Sequence, residues 1–209
     1  MKGPVWIALG SRSMRIVLLG ANLIVALGMM WVTRNTVLSD SWSYMGLAEG
    51  ILHGEYSMWW PLGTDHPDTF RTPGYPLLLA VTKYLFGNWR AIVLFQLVLY
   101  AASVILTLRT IALWDPRPIT GNLFLCLLIP MLNVPFYISQ LYAEIPVLFC
   151  ITLAVWWAAR SERSYVGAVG LGLLFGVTFQ FRPIFLLFPL LFFAAMVIRS
   201  RGARVLREM

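Results

Sequence analysis

The sequence predicts an all-α polytopic membrane protein, and three observations carry that reading. First, 59% of its 209 residues are hydrophobic and only 12% are charged. A soluble domain of this length cannot hide so much apolar surface. Second, the apolar residues gather in runs long enough to cross a bilayer, which takes about 20 residues at 1.5 Å of helical rise each. Third, the charges collect between those runs and at their ends. The formal net charge is +7, but its distribution says more than its total.

Six spans are expected, over roughly 14–33, 91–113, 118–138, 144–160, 164–181 and 184–199. The first follows Lys2, Arg12 and Arg15, and its apolar stretch from Ile16 to Val32 lacks a small-x-small ending. It is longer than a signal-peptide core and reads as an uncleaved anchor. The segment 74–87, Gly74 to Gly87, is apolar but short. It is expected to lie at the interface, with the stem of Lys83 buried and its ammonium snorkelling. The polar turns Asp115-Pro116-Arg117-Pro118 and Ser161-Glu162-Arg163-Ser164 separate later spans. Gly167, Gly170, Gly172 and Gly176 line one helix. The four-residue spacing of Gly172 and Gly176 predicts a close helix approach there. Cys126 and Cys150 each fall inside an apolar run, without metal-ligand spacing and with no disulfide expected.

Charge selects the orientation. If 74–87 is interfacial, the N-terminus, Arg109, Arg117, Arg160, Arg163 and the tail arginines 199, 201, 204 and 207 share one side. The positive-inside rule makes that side cytoplasmic. Asp40, Glu49, Glu55, Asp65, Asp68 and Glu144 fall on the other. The layout is a single transmembrane domain, 1–209, with both termini inside and an external loop, 34–90, that carries interfacial helices.

Several function classes drop out. There is no Walker loop, dinucleotide fingerprint or serine elbow. The basic tail reads as a topology determinant or anionic-lipid contact, so no nucleic-acid partner is expected. A transporter would carry ionisable residues within its spans, and these runs are nearly free of them.

The external loop holds the residues that could do chemistry. Ser39 or Asp40 is placed to cap a helix whose apolar positions Trp42, Met45, Leu47, Ala48, Ile51 and Leu52 suit a membrane-surface stripe. Asp40 is thus either a cap or a general base at the membrane boundary, and Tyr44 shares its face four residues on. Arg71, in the extended stretch Arg71-Thr-Pro73-Gly-Tyr75-Pro76, offers a guanidinium fork to phosphate or snorkels to headgroups. Arg182-Pro183 is a second outer-face arginine at a helix start. Glu144 follows Tyr137-Ile-Ser-Gln140-Leu-Tyr142-Ala at the edge of a span, where an acid is a site candidate or a helix N-terminal carboxylate. His53, Glu55, Asp65, His66 and Asp68 have the chemistry for a divalent cation, but no diagnostic spacing.

The ordered set resembles the GT-C fold membrane glycosyltransferases that use polyprenyl-phosphate sugars, among them protein O-mannosyltransferases and lipid A aminoarabinose transferases. The match is an N-terminal span, an external acid then a tyrosine (Asp40, Tyr44), a basic-Pro stretch before a short helix (Arg71 to Ala80), an acid opening a later span (Glu144) and an Arg-Pro (Arg182-Pro183). It covers the N-terminal module of such proteins, which are longer and carry further spans and a further external loop. The resemblance implies a membrane glycosyltransferase, inverting, at the outer face of a bacterial inner membrane. By it, Asp40 is the catalytic acid that activates or orients the acceptor, and Glu144 is a second acidic position, in some members metal-associated. Arg71 holds the donor phosphate, while Tyr44, Tyr75 and Arg182 bind substrate. A polyprenyl-phosphate-linked sugar and membrane lipids are the implied partners, with a divalent cation, a partner subunit or a homo-oligomer left open. The alternative is a non-catalytic polyprenyl-lipid-binding or accessory subunit on the same scaffold.

Overall fold

The structure, a computed structural model, describes residues 10–59, 61, 68, 71–160, 165–195 and 197. The turn expected at 161–164, Asp65, His66 and the arginine tail lie outside the described residues. Within them all regular structure is helical.

Among the described residues nine helices follow in chain order: α1 (Arg12–Thr33), α2 (Ser39–Leu52), α3 (Gly74–Phe86), α4 (Ala91–Trp114), α5 (Pro118–Leu128), α6 (Asn133–Ser139), α7 (Glu144–Arg160), α8 (Tyr165–Phe181) and α9 (Pro183–Ala195). The last opens with a 3-10 segment, Pro183–Leu187. Among the described residues two helices, α1 and α4, at 22 and 24 residues, are long and apolar enough to cross a membrane, and α5 with α6 makes a third if the bent pair counts as one span.

Each end has a local cause. The Ser11 hydroxyl accepts from the Met14 amide at 3.0 Å and caps α1. After α4, Arg117 grips Asp115 with Nε and Nη2 at 2.8 and 2.7 Å, and the Thr120 hydroxyl adds a third contact at 2.6 Å. These bonds hold the Asp115 carboxyl well below the usual carboxylate range. The continuous span expected over 118–138 is instead broken, with α5 and α6 meeting at 66°. Pro130 sits at the break; it has no amide proton and its ring crowds the carbonyl of Cys126, so the helical ladder stops.

Packing radiates from α4, which lies along α7 and also touches α6, α5 and α3. The α1 helix packs on α5 and α6, α2 on α3, and α7 on α8. One apolar cluster joins Leu18, Ala26, Tyr100, Val104, Leu125 and Ile138 between the long helices. A second, with Tyr44, Ala48, Tyr75, Leu79, Ile92 and Tyr142, seats the loop helices against the start of α4 and the α6–α7 linker. Buried Gln96 ties the two: its Oε1 accepts from the Tyr75 hydroxyl at 3.1 Å, and its Nε2 donates to the Ile138 and Gln140 carbonyls at 2.9 and 2.8 Å. A buried amide so fully bonded fixes register instead of weakening the core.

Three further expectations are corrected. The α2 stripe does not face lipid: Tyr44, Leu47 and Ala48 bury their faces in protein against α3, leaving Trp42 exposed. Lys83 does not snorkel; its ammonium pairs with Glu49 of α2 and lies 4.5 Å over the Trp89 ring. The close glycine approach is not at Gly172 or Gly176, which face open space. It is at Gly170, where a Cβ would stand 2.6 Å from the Trp157 ring. A tighter one lies at Gly74, where a Cβ would meet the Gln180 carbonyl oxygen at 2.4 Å. Only glycine lets α3 reach α8 so closely.

Candidate functional site

The close contact of α3 and α8 brings Arg71, just before one helix, and Arg182, just after the other, to the same end of the bundle. Both face Tyr44, whose hydroxyl feels the charges of Arg182, Glu144, Arg71 and Asp40 together. Four charged residues separated by up to 142 positions in the chain therefore lie near enough to act on one phenol.

Two ion pairs make up the ring. Arg71 Nη2 lies 3.4 Å from Asp40 Oδ1, with Asp40 44% and Arg71 18% exposed. Arg182 Nη2 pairs directly with Glu144 Oε1. The second oxygen of Glu144, Oε2, is buried and accepts no hydrogen bond. A buried carboxylate oxygen left without a donor is costly, so this atom is a ready acceptor for a ligand hydroxyl or a cation.

The Asp40 side chain does not cap its helix. Leu38 stands at the N-cap position, no side chain caps the end, and Asp40 lies in the first turn with its carboxylate turned to Arg71. The capping expectation for Ser39 or Asp40 is thus corrected, because the arginine offers a stronger partner than the amides. The arginine is itself braced. Its backbone amide donates to Asp68 Oδ1 at 3.0 Å, its Nη1 is 3.9 Å from Asp68 Oδ2, and its carbonyl accepts from the Tyr56 hydroxyl at 2.7 Å. Burial, then the Asp68 carboxylate, pushes the Tyr56 phenol up to about 12, so it remains a donor at neutral pH.

Aromatic rings form the floor. Tyr44 meets Tyr75 edge-on at 5.1 Å and Tyr142 at 6.3 Å, and Tyr142 meets Tyr137 at 5.9 Å. The Arg71 guanidinium lies 5.7 Å from the Tyr44 ring centre, near the limit of a cation–π contact. Burial raises the Tyr44 phenol, opposed by Arg182 and reinforced by Glu144. Burial raises Tyr142 as well, and then Asp40 and Glu144 do. Tyr75 is a correction to the sequence reading. It is 0% exposed and its hydroxyl is committed to Gln96, so it props the Tyr44 ring from below and has no surface to offer a substrate.

Sequence reasoning missed Tyr56, Asp68 as the arginine's brace, Gln96 and Tyr142. The clearest available signal was Gln96, a lone amide in an apolar run, which must find partners when buried. Among the described residues no group of three or more His, Cys, Asp or Glu could hold a metal. Beside the Glu144–Arg182 pair lies a groove of about 380 Å³, walled by Val147, Leu148, Ile151, Ile184 and Phe185. The Glu144 carboxylate, with its unpartnered oxygen, and the Arg182 guanidinium stand at the head of this apolar groove, and the Asp40–Arg71 pair lies outside its lining. No protein-family model, characterised protein or solved structure matches the chain.

Proposed function

We propose that this protein is a membrane glycosyltransferase that moves a sugar from a polyprenyl-phosphate donor to an acceptor hydroxyl at the outer face of a bacterial inner membrane. The observation that carries the reading is the convergence of Asp40–Arg71 and Glu144–Arg182 on Tyr44, beside an apolar groove. A lipid-linked phosphate needs both halves: guanidiniums for the phosphate and an apolar wall for the chain.

In the step proposed, the acceptor oxygen attacks the anomeric carbon as the bond from that carbon to the phosphate oxygen breaks. The bonding pair leaves with the polyprenyl phosphate, whose charge Arg71 stabilises. The acceptor's proton passes to the Asp40 carboxylate. One displacement inverts the anomeric centre. The 3.4 Å contact between Asp40 and Arg71 is long for an ion pair, so the guanidinium can turn to phosphate and free the carboxylate to take the acceptor's proton. Glu144 Oε2 has its lone pairs open to orient a sugar hydroxyl or a divalent cation.

The membrane frame proposed is the GT-C-like one of six spans, both termini cytoplasmic, with α2 and α3 at the outer interface. α7 and α8, at 17 residues each, reach about 26 Å at helical rise, within what bilayer thinning accommodates. One observation favours a second reading. Each candidate carboxylate already has its charge compensated by an arginine, as suits an accessory subunit that binds lipid phosphate without turnover. Transfer from a radiolabelled polyprenyl-phosphate sugar by purified protein, wild type against Asp40→Asn, separates the two. Donor binding without transfer by the wild type selects the accessory reading.

A further inference from the structure

A second groove lies between the last two turns of α1 and the first turn of α4. It has a volume of about 370 Å³ and shares no lining residue with the Asp40–Glu144 site. The two helices flank it without packing extensively on each other, since α1 leans on α5 and α6 and α4 on α7. Its walls are apolar, with Leu27, Met30, Trp31, Val93 and Leu94 among them. Two arginines stand at its polar end, Arg34 just past α1 and Arg90 just before α4. Among the described residues neither guanidinium has a carboxylate partner, and no acid lines the groove. The Arg34 guanidinium lies over the Trp31 ring, 3.7 Å from its centroid, with Nη1 donating to the Trp31 carbonyl at 3.1 Å.

A further feature points to a ligand. Ser41 lines the same groove, is 1% exposed, and its Oγ has no hydrogen-bond partner. A buried hydroxyl without a partner is uncommon, and in the lining it shares with two guanidiniums it can donate to an anionic oxygen. The charge complementarity is that of a phosphate, and the walls are those of a hydrocarbon chain.

We propose that this groove holds an anionic phospholipid, its phosphate between Arg34 and Arg90 and one acyl chain along Leu27, Met30 and Leu94. The inference rests on the membrane reading of the chain and is independent of sugar transfer. The bound lipid fills the gap between α1 and α4 and joins the helix before the external loop to the helix after it.

The test is lipid retention by native mass spectrometry of the full-length protein, exchanged into detergent with phosphatidylglycerol or phosphatidylcholine. The wild type should keep one phosphatidylglycerol per chain in preference to phosphatidylcholine. Arg34→Gln/Arg90→Gln should retain about tenfold less or lower still, since two charge-assisted contacts are lost. The charge-matched pair Arg12→Gln/Arg109→Gln, remote from the groove, should retain it fully. Leu94→Trp, at a side chain 67% exposed, should block the chain's path while leaving helical circular dichroism unchanged. Equal retention by wild type and Arg34→Gln/Arg90→Gln would overturn the site, as would equal uptake of the two phospholipids. One-for-one displacement by a polyprenyl phosphate would also overturn it, by giving the groove to the donor. None of these readouts depends on transferase activity.

Discussion

Arg71 and Asp40, 31 residues apart, meet at 3.4 Å between Nη2 and Oδ1. The contact joins the start of α2 to the approach of α3. It also defeats the simplest account of Asp40: a carboxylate in the first turn of a helix ordinarily turns to its own amides, and this one turns outward to a guanidinium that Asp68 and Tyr56 hold in place.

Asp40→Asn should lower transfer by about 10²–10⁴-fold, the range of a lost general base. The fold should survive, because an acid in a helix's first turn contributes only about 0.3–1 kcal/mol. Transfer at the wild-type rate, measured with labelled donor, removes Asp40 from the chemistry.

Arg71→Lys should keep part of the activity as a point charge, and Arg71→Ala should lose donor affinity together with turnover. Direct binding of labelled donor is the measurement. Unchanged affinity in the alanine variant reduces the residue to a brace for the loop.

Removal of the Tyr75 hydroxyl should be felt in stability before function. Tyr75→Phe leaves Gln96 Oε1 buried with no donor, at a cost of about 1–3 kcal/mol. Thermal unfolding in detergent reads this. A variant as stable as the wild type shows that water replaces the phenol.

The phenols give a pH test. Tyr44, Tyr56, Tyr75 and Tyr142 all hold their protons more tightly than an ordinary phenol of pKa 10.0, with Tyr56 pushed to about 12. In the unfolded chain they ionise near the ordinary value, so above it the folded state binds more protons. Their contribution is fully present below pH 10 and is lost as pH climbs toward 12. Absorbance at 295 nm, followed with unfolding temperature over that window, should show delayed ionisation and falling stability. Titration of all eight tyrosines together near pH 10 contradicts the burial of this cluster.

Asn88 should label from the same side as Asp40, because α3 has only 13 residues and spans about 20 Å at helical rise. Cysteine accessibility at position 88 checks it. A cytoplasmic address would put Glu144 on the wrong face for the site.

The sequence made the helical membrane class legible because hydropathy is local: a run either is or is not long enough. It also showed which charges stand at the ends of apolar runs, since Asp40, Arg71, Glu144 and Arg182 each punctuate one. It could not show how they pair. The pairing depends on Gly74 meeting the Gln180 carbonyl, a backbone contact that no periodicity encodes. Nor did the pattern reveal the α5–α6 bend: Pro130 was visible, but tolerated prolines occur in spans, and only the packing of α6 on α1 shows this one ends its helix. The Lys83 error has the same origin. A lysine near a helix end looks identical whether it reaches water or Glu49.

The order in which the four charged residues occur along the chain has a consequence for biogenesis. Asp40 and Arg71 both precede α4, Glu144 comes after the two long helices, and Arg182 arrives only past α8. During synthesis the loop pair can therefore form early, while Glu144 must wait for its guanidinium until α8 has emerged and docked against Gly74. A nascent chain arrested before that point carries an uncompensated carboxylate beside Tyr44.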